Sequence, residues 1–380
     1  MATNFFGGAY DLRLLASFGM PHLFVDISAH GFGHLAQTAP VLETLTAQIP
    51  ELRLTIRSGL PAAYLRLRIP HPFTHVAAAS DLCFLMHDAV RIDHEASAAA
   101  YRAFHADWPA RVAAEAAMLS SLAPDLVFAN VSALPLAGAR QAGIPALALC
   151  SLNWADQFAF LFGKEDWARA IHAELQDAYA NADAFLRCTP AAPMPTLSNA
   201  IAVPPVARIG HADRAALAAR IGALDERIVL IGMGGIDFDL PVAAWPRVEG
   251  VRWLVRDPLP VPRSDVACYG DLDWHFSDLL ASVDAVVTKP GYGMFVESAA
   301  AGIPLLYLRR DDWPEQEALI GWLQAEAVCA ELSVAQFAAG DLQAVLQELW
   351  ARPRKTAIAN GAGVVAGRLA ALLRAGSRSA

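Results

Sequence analysis

Residues 28–37, SAHGFGHLAQ, place two histidines, His30 and His34, around a turn that holds Gly31 and Gly33. Imidazole ionises near neutrality, so a histidine in a ligand cleft is suited to take a proton from an attacking hydroxyl. His30, in the loop itself, is expected to be the base. His34, nearer the helix start, is expected to orient phosphate or the molecule that carries that hydroxyl; turn packing or helix capping is the plain alternative for both.

A second group lies in residues 284–318, DAVVTKPGYGMFVESAAAGIPLLYLRRDDWPEQEA. Gly291 and Gly293 form a tight turn between a strand and a helix, where unpaired N–H groups and the helix dipole favour a diphosphate. Glu297, one turn into that helix, is suited to accept hydrogen bonds from a ribose diol. Glu315 and Gln316, on the next loop, are suited to hold sugar hydroxyls, and Lys289 either adds charge to the phosphates or lies on the surface. Gly234 and Gly235, in VLIGMGGIDFDLP, offer further backbone amides to the phosphates, and Arg208 offers a bidentate guanidinium or else a surface ion pair.

The elements that must position these residues follow from the apolar pattern. HLFVDIS, LRLTIRS, DLVFANV and IPALALCSL read as buried strands alternating with helices in the first half, and RIVLIGMGG, VRWLVRD, DVACYG, VDAVVTKPGYG and IPLLYLRRDD repeat the alternation in the second. Runs of this kind suggest parallel sheets covered by helices on both faces. Between the two series, residues 189–207, TPAAPMPTLSNAIAVPPVA, hold five prolines and read as an interdomain connection. The fold class is therefore α/β, with two Rossmann-like doubly wound domains, 1–205 and 206–380. A ligand is expected in the cleft between them, at the carboxyl ends of the strands.

Composition excludes several classes. The 380 residues are 55% hydrophobic and 18% charged, with a formal net charge of −9. That balance argues for a well-buried globular chain and against nucleic acid as a partner. Five widely spaced cysteines in apolar surroundings read as reduced core residues. No secretory signal and no apolar run of about 18 residues is evident, so a cytoplasmic protein without a membrane span is expected.

Gly31, Gly33 and Ala36 also fit G-x-G-x-x-A, a weak dinucleotide signal. The strand LRLTIRSG ends in Arg57 and Ser58, without the acid an NAD site needs, though Arg57 suits the 2′-phosphate of NADP.

The order Gly291, Gly293, Glu297, Ala301-Gly302-Ile303-Pro304, Glu315-Gln316 resembles the donor-binding region of nucleotide-sugar glycosyltransferases of GT-B fold, the MurG-like and UDP-glycosyltransferase families. GFGHLAQTAP is similar to the glycine turn and His of the MurG-like enzymes, with His34 at the matching place. ISAHGFGH, HDAVRIDHEAS and residues 122–158 resemble the glycosyltransferase-like amino-terminal part of plant L-arabinokinases, over roughly residues 22–340. Met294 departs from the pattern, since many members have a small hydroxyl residue there. No kinase segment or Walker G-K-[ST] is evident, so phosphorylation is not implied.

The resemblance implies a metal-independent transferase, hexosyl or pentosyl, that moves a sugar from a nucleotide-diphosphate sugar, a UDP-sugar in the first instance, to a small or soluble acceptor without a cofactor, with 1–205 as the acceptor side and 206–380 as the donor side. It places His275 and Phe276 beside the nucleobase. It carries Asp88, Arg91 and Asp93 to the acceptor side, where Asp93 competes with the histidines as a catalytic group; a solvated helix start is the alternative. Asn153 and Trp154, in NWADQ, are read either as acceptor contacts or as packing residues. Asp237-Phe238-Asp239 spells D-x-D, a pattern of metal-dependent transferases of another fold, and is read as a chance match because helix termini and basic groups take the metal's part in GT-B enzymes. A nucleotide-sugar-binding module without transfer activity and an NADP-dependent oxidoreductase remain as alternatives.

Overall fold

The computed structural model describes residues 20–87, 91–234, 240–310 and 313–376. Its first sheet has seven strands: β1 (His22–Ile27), β2 (Arg53–Ser58), β3 (Phe73–Ala77), β4 (Leu126–Asn130), β5 (Ala146–Cys150), β6 (Ala184–Cys188) and β7 (Ala200–Val203). The helices among them are α1 (Gly33–Gln48), α2 (Ala62–Arg68), α3 (His94–His105), α4 (Trp108–Leu122), α5 (Ala133–Ala142), α6 (Trp154–Phe162) and α7 (Ala168–Ala180). The second sheet has six strands: β8 (Arg227–Gly232), β9 (Val251–Val255), β10 (Val266–Cys268), β11 (Ala285–Thr288), β12 (Leu305–Leu308) and β13 (Cys329–Leu332). Its helices are α8 (Arg214–Ile221), α9 (Phe276–Ala281), α10 (Tyr292–Ala301), α11 (Gln316–Glu326), α12 (Val334–Ala339) and α13 (Gln343–Ala351), and α14 (Gly361–Gly376) closes the described chain.

The strand orders are β3-β2-β1-β4-β5-β6-β7 and β10-β9-β8-β11-β12-β13, and the paired strands within both sheets are parallel. Both sheets reverse their order beside the first strand, between β1 and β4 and between β8 and β11. This is the doubly wound α/β organisation expected, and it opens a crevice at the carboxyl ends of the central strands. Strands β1, β4 and β5 are buried along their whole length, which is why their sequences are continuous apolar runs.

Two features differ from the sequence reading. The proline-rich connection contains β7, whose short apolar run AIAV pairs with β6 from Phe185↔Ala200 to Cys188↔Val203 and extends the first sheet. Helix α14, numbered within 206–380, packs on α1 and β7 of the first sheet, and Gly361 N–H donates to the Pro205 carbonyl at 2.9 Å. Val365, Leu369 and Leu373 of α14 belong to one apolar cluster that also holds Leu35 and Leu42 of α1 and Phe295 of α10. The two sheets therefore share a continuous core. Among the described residues, no helix is long and apolar enough to cross a membrane.

Candidate active site

A cavity of about 350 Å³ lies between the two sheets. The amino ends of α1 and α10 both open into it, and neither has a side-chain cap at its start, Phe32 or Gly291. First-turn N–H groups have no partner inside a helix, so each end presents donors and positive potential to whatever fills the space. Gly31 makes the entry turn to α1 with φ of +71°, a conformation that glycine adopts without strain. Gly293 lies where α10 crosses α1: a Cβ there would stand 2.9 Å from the Ala36 Cβ, inside ordinary contact distance. Tyr292 ties the start of α10 to the connection, donating to the Thr189 carbonyl and accepting from Val206 N–H, both at 2.9 Å. Lys289, Arg310, Arg256 and Arg68 bring cationic groups to the walls, and Glu297 and Glu315 bring carboxyls.

His30 lines the cavity with its ring stacked on Trp313, centroids 5.4 Å apart and planes 11° apart, and with the edge of Trp154 at 5.5 Å. Burial holds its pKa well below the ordinary 6.5, and the charges of His34, Arg310 and Lys289 push the same way. His34, in the first turn of α1, is 4% exposed. Its pKa is also lowered by burial, against the opposing pull of the Asn130 hydrogen bond and the Glu315 charge. Both rings are therefore neutral at pH 7.

A chain of polar side chains runs from His34 across the cleft. His34 Nδ1 lies 2.8 Å from Asn130 Oδ1, Asn130 Nδ2 donates to Gln37 Oε1 at 3.0 Å, and Gln37 Nε2 donates to Ser151 Oγ at 2.8 Å. The Ser151 hydroxyl then donates to Glu315 Oε1 at 2.6 Å, and Trp313 Nε1–H donates to Glu315 Oε2 at 3.0 Å. Asn130 and Ser151 sit at the carboxyl ends of β4 and β5, where an open parallel sheet presents groups to a ligand.

Glu297, 3% exposed, receives Arg68 Nη1 from α2 at 3.3 Å, a second bond across the cleft. Burial raises its pKa, and Arg68 and then Arg208 oppose that rise. The Arg68 guanidinium also lies 5.8 Å from the Phe276 ring centroid. Arg208 Nη1 donates to His275 Nε2 at 2.7 Å. Burial, Arg208 and Arg68 push the pKa of His275 down to about 4, so it is a neutral acceptor for that bond.

The sequence-predicted residues divide accordingly. His30, His34, Gly234, His275, Phe276, Lys289, Gly291, Gly293, Glu297 and Glu315 are not scattered but meet at one cavity, all of them lining it. Arg208 is held one step back by His275 and does not line the cavity. The Gln316 amide is committed to the Arg310 peptide, its Oε1 accepting from Arg310 N–H at 2.8 Å and its Nε2 donating to the Arg310 carbonyl, so it shapes that loop and does not line the cavity. Asp93 caps α3, accepting from Ala96 N–H at 2.9 Å, and Asn153 caps α6, accepting from Asp156 N–H at 2.8 Å. Neither lines the cavity; capping satisfies helix donors that would otherwise be left over. Trp154 is 1% exposed with its Nε1–H on Asp81 at 3.0 Å, so it backs the histidine rings as a wall and offers no open stacking face. Asp88, Gly235 and the Asp237-Phe238-Asp239 run lie outside the described residues.

Arg57, read as a possible contact for a 2′-phosphate, is 6% exposed and bonded to Asp26 at 2.6 Å and to both oxygens of Glu115 at 2.6 and 2.7 Å. Its donors are taken by two carboxylates, so it does not serve an NADP site. Sequence reasoning missed Arg68, Asn130, Gln37, Ser151 and Trp313. Asn130 and Ser151 carried a usable signal, a polar residue closing a buried apolar strand.

No family model matches the chain. Among curated proteins, L-arabinokinase of Arabidopsis thaliana is 24% identical over 309 residues, which cover 78% of this chain and 29% of that protein. The chain thus spans less than a third of the length of that relative. Among solved structures, a kitacinnamycin glycotransferase is similar with a TM-score of 0.61 at 16% identity, covering 94% of this chain and 96% of that one. The calicheamicin glycosyltransferase gives 0.59 at 15%, covering 94% and 95%, and a UDP-glucosyltransferase from Polygonum tinctorium gives 0.58 at 14%, covering 94% and 100%. The fold is that of the GT-B glycosyltransferases.

Proposed function

We propose that the chain is a glycosyltransferase that moves a sugar from a nucleotide-diphosphate sugar, a UDP-sugar in the first instance, to a small or soluble acceptor. The observation that carries this reading is the convergence of two uncapped helix amino ends and a neutral, hydrogen-bonded histidine on one interdomain cavity. The likeness of the fold to a UDP-glucosyltransferase supports the choice of donor class.

In this reading the α10 amides, with Lys289 and Arg310 beside them, take the diphosphate. Positive groups fixed before the reaction stabilise charge as it develops on the leaving group, without a metal being needed for that purpose. Glu297 accepts from the ribose diol, which takes the place of Arg68 on that carboxyl. Phe276, which lines the cavity, borders the base. His34 Nε2 takes the proton of the acceptor hydroxyl as its oxygen bonds to the anomeric carbon and the bond to the diphosphate breaks. His34 is preferred over His30 as base because Asn130 orients its ring, whereas the His30 ring lies flat against Trp313.

Calorimetry and thermal shift with UDP, GDP, TDP and NADP test the donor site, since a ligand of the native state raises its melting temperature by mass action. Stabilisation by one nucleoside diphosphate is expected and identifies the base. Stabilisation by NADP alone overturns the reading, and nucleotide-sugar binding without turnover across many acceptors reduces the chain to a binding module.

A further inference from the structure

We infer that Glu315 is a positioning residue that sets the tautomer of His34 from across the cleft, through Ser151, Gln37 and Asn130. Each middle member of this chain has a donor and an acceptor, so the chain has two possible directions. Both Glu315 oxygens accept, one from Trp313 N–H and the other from the Ser151 hydroxyl, and that fixes the direction at this end. With its hydrogen given to Glu315, Ser151 Oγ accepts from the Gln37 amide nitrogen; Gln37 Oε1 then accepts from the Asn130 amide nitrogen, and Asn130 Oδ1 faces His34 Nδ1 at 2.8 Å. Two lone pairs at that distance repel, so the ring proton sits on Nδ1 and the lone pair on Nε2.

Without Glu315 the opposite direction becomes available. Ser151 then donates to a flipped Gln37, Asn130 turns its NH₂ to His34, and the ring proton moves to Nε2, where the imidazole no longer accepts a proton. The Cys150 sulfur, 3.7 Å from the same Nδ1, is too weak a donor and acceptor to decide the matter against the 2.8 Å contact. Because Ser151 belongs to the first domain and Glu315 to the second, the base is set only when the two domains are docked. The effect on turnover rests on the glycosyl-transfer reading; the tautomer itself does not.

The test is nitrogen-15 NMR of histidine-labelled protein without substrate, at a pH where His34 is neutral, with His34→Asn to assign its signals. The Nδ1–H pattern is expected in the unsubstituted protein. Ser151→Ala and Glu315→Gln are each expected to admit the Nε2–H form. If the competent tautomer falls to about a tenth, kcat falls about tenfold in proportion. An Nε2–H signal for His34 in the unsubstituted protein overturns the inference, as does an unchanged Nδ1–H population in the variants. Ser151→Ala leaves Glu315 intact and serves if Glu315→Gln does not fold. A protein with the expected tautomers but no transferase activity keeps the relay and removes only the enzymatic reading.

Discussion

Gly293 carries two separable explanations, and a double substitution distinguishes them. Its place in the turn suits the close approach of a diphosphate to backbone, but its missing Cβ also makes room for α1, because a Cβ would sit 2.9 Å from that of Ala36. Ordinary contact begins near 3.4 Å, so Gly293→Ala must push α10 and α1 apart by roughly half an ångström, an overpacking change that costs about 1–3 kcal/mol. Helix propensity returns about 1 kcal/mol, leaving a net loss of about 0–2 kcal/mol. Ala36→Gly alone removes one methyl and lowers stability by about 0.5–1 kcal/mol. In that background the clash has no partner, and Gly293→Ala is expected to be neutral or stabilising, a coupling of about 1–3 kcal/mol between the two sites. Urea unfolding of the four proteins, compared at constant slope, gives the cycle, and calorimetry with the nucleoside diphosphate is run alongside. If Gly293→Ala harms both backgrounds equally, the helix-contact reasoning is refuted. Equal loss of nucleotide affinity in both would assign the glycine to the ligand instead.

Three further outcomes follow from the same geometry. His34→Ala is expected to lower kcat by about 10²–10⁴-fold while nucleotide affinity is kept, as loss of a general base does; because the pKa of His34 is lowered from 6.5, the acid limb of kcat/KM for the unsubstituted enzyme should fall below that pH. An acid limb above pH 7 would remove His34 as the base. Stability should also decline in acid: His30, His34 and His275 have folded pKa values below 6.5, with His275 at about 4, so the unfolded chain binds more protons as pH drops from 6.5 toward 4. The histidine contribution is complete above 6.5, and a melting temperature flat from pH 7 to 4.5 would contradict it. Arg57→Met should destabilise the fold by about 3–5 kcal/mol, since Asp26 and Glu115 are left buried without their cation. A loss below about 1 kcal/mol in chemical unfolding would mean that the pair is not dry.

The legible part of this molecule is local. A strand that ends in glycine and opens into a helix announces a helix amino end, so the sequence alone places the turns at Gly31 and Gly291 at a cleft. Capping confounds the same kind of reading. Asp93 and Asn153 are polar residues immediately before a helix, and in sequence a cap for Ala96 or Asp156 N–H looks the same as a group waiting for substrate. Arg68 had no local signal, because its partner Glu297 is 229 residues away and they meet only across the cleft. The relay was hidden for a related reason. Its order in space is 34, 130, 37, 151, 315, which doubles back along the chain, and its direction depends on a carboxyl contributed by the other sheet. Sequence spacing can nominate a histidine as a base, but which nitrogen holds the lone pair is decided by the far end of the hydrogen-bonded chain. In this protein that end is Glu315, a residue whose sequence context pointed only to sugar binding.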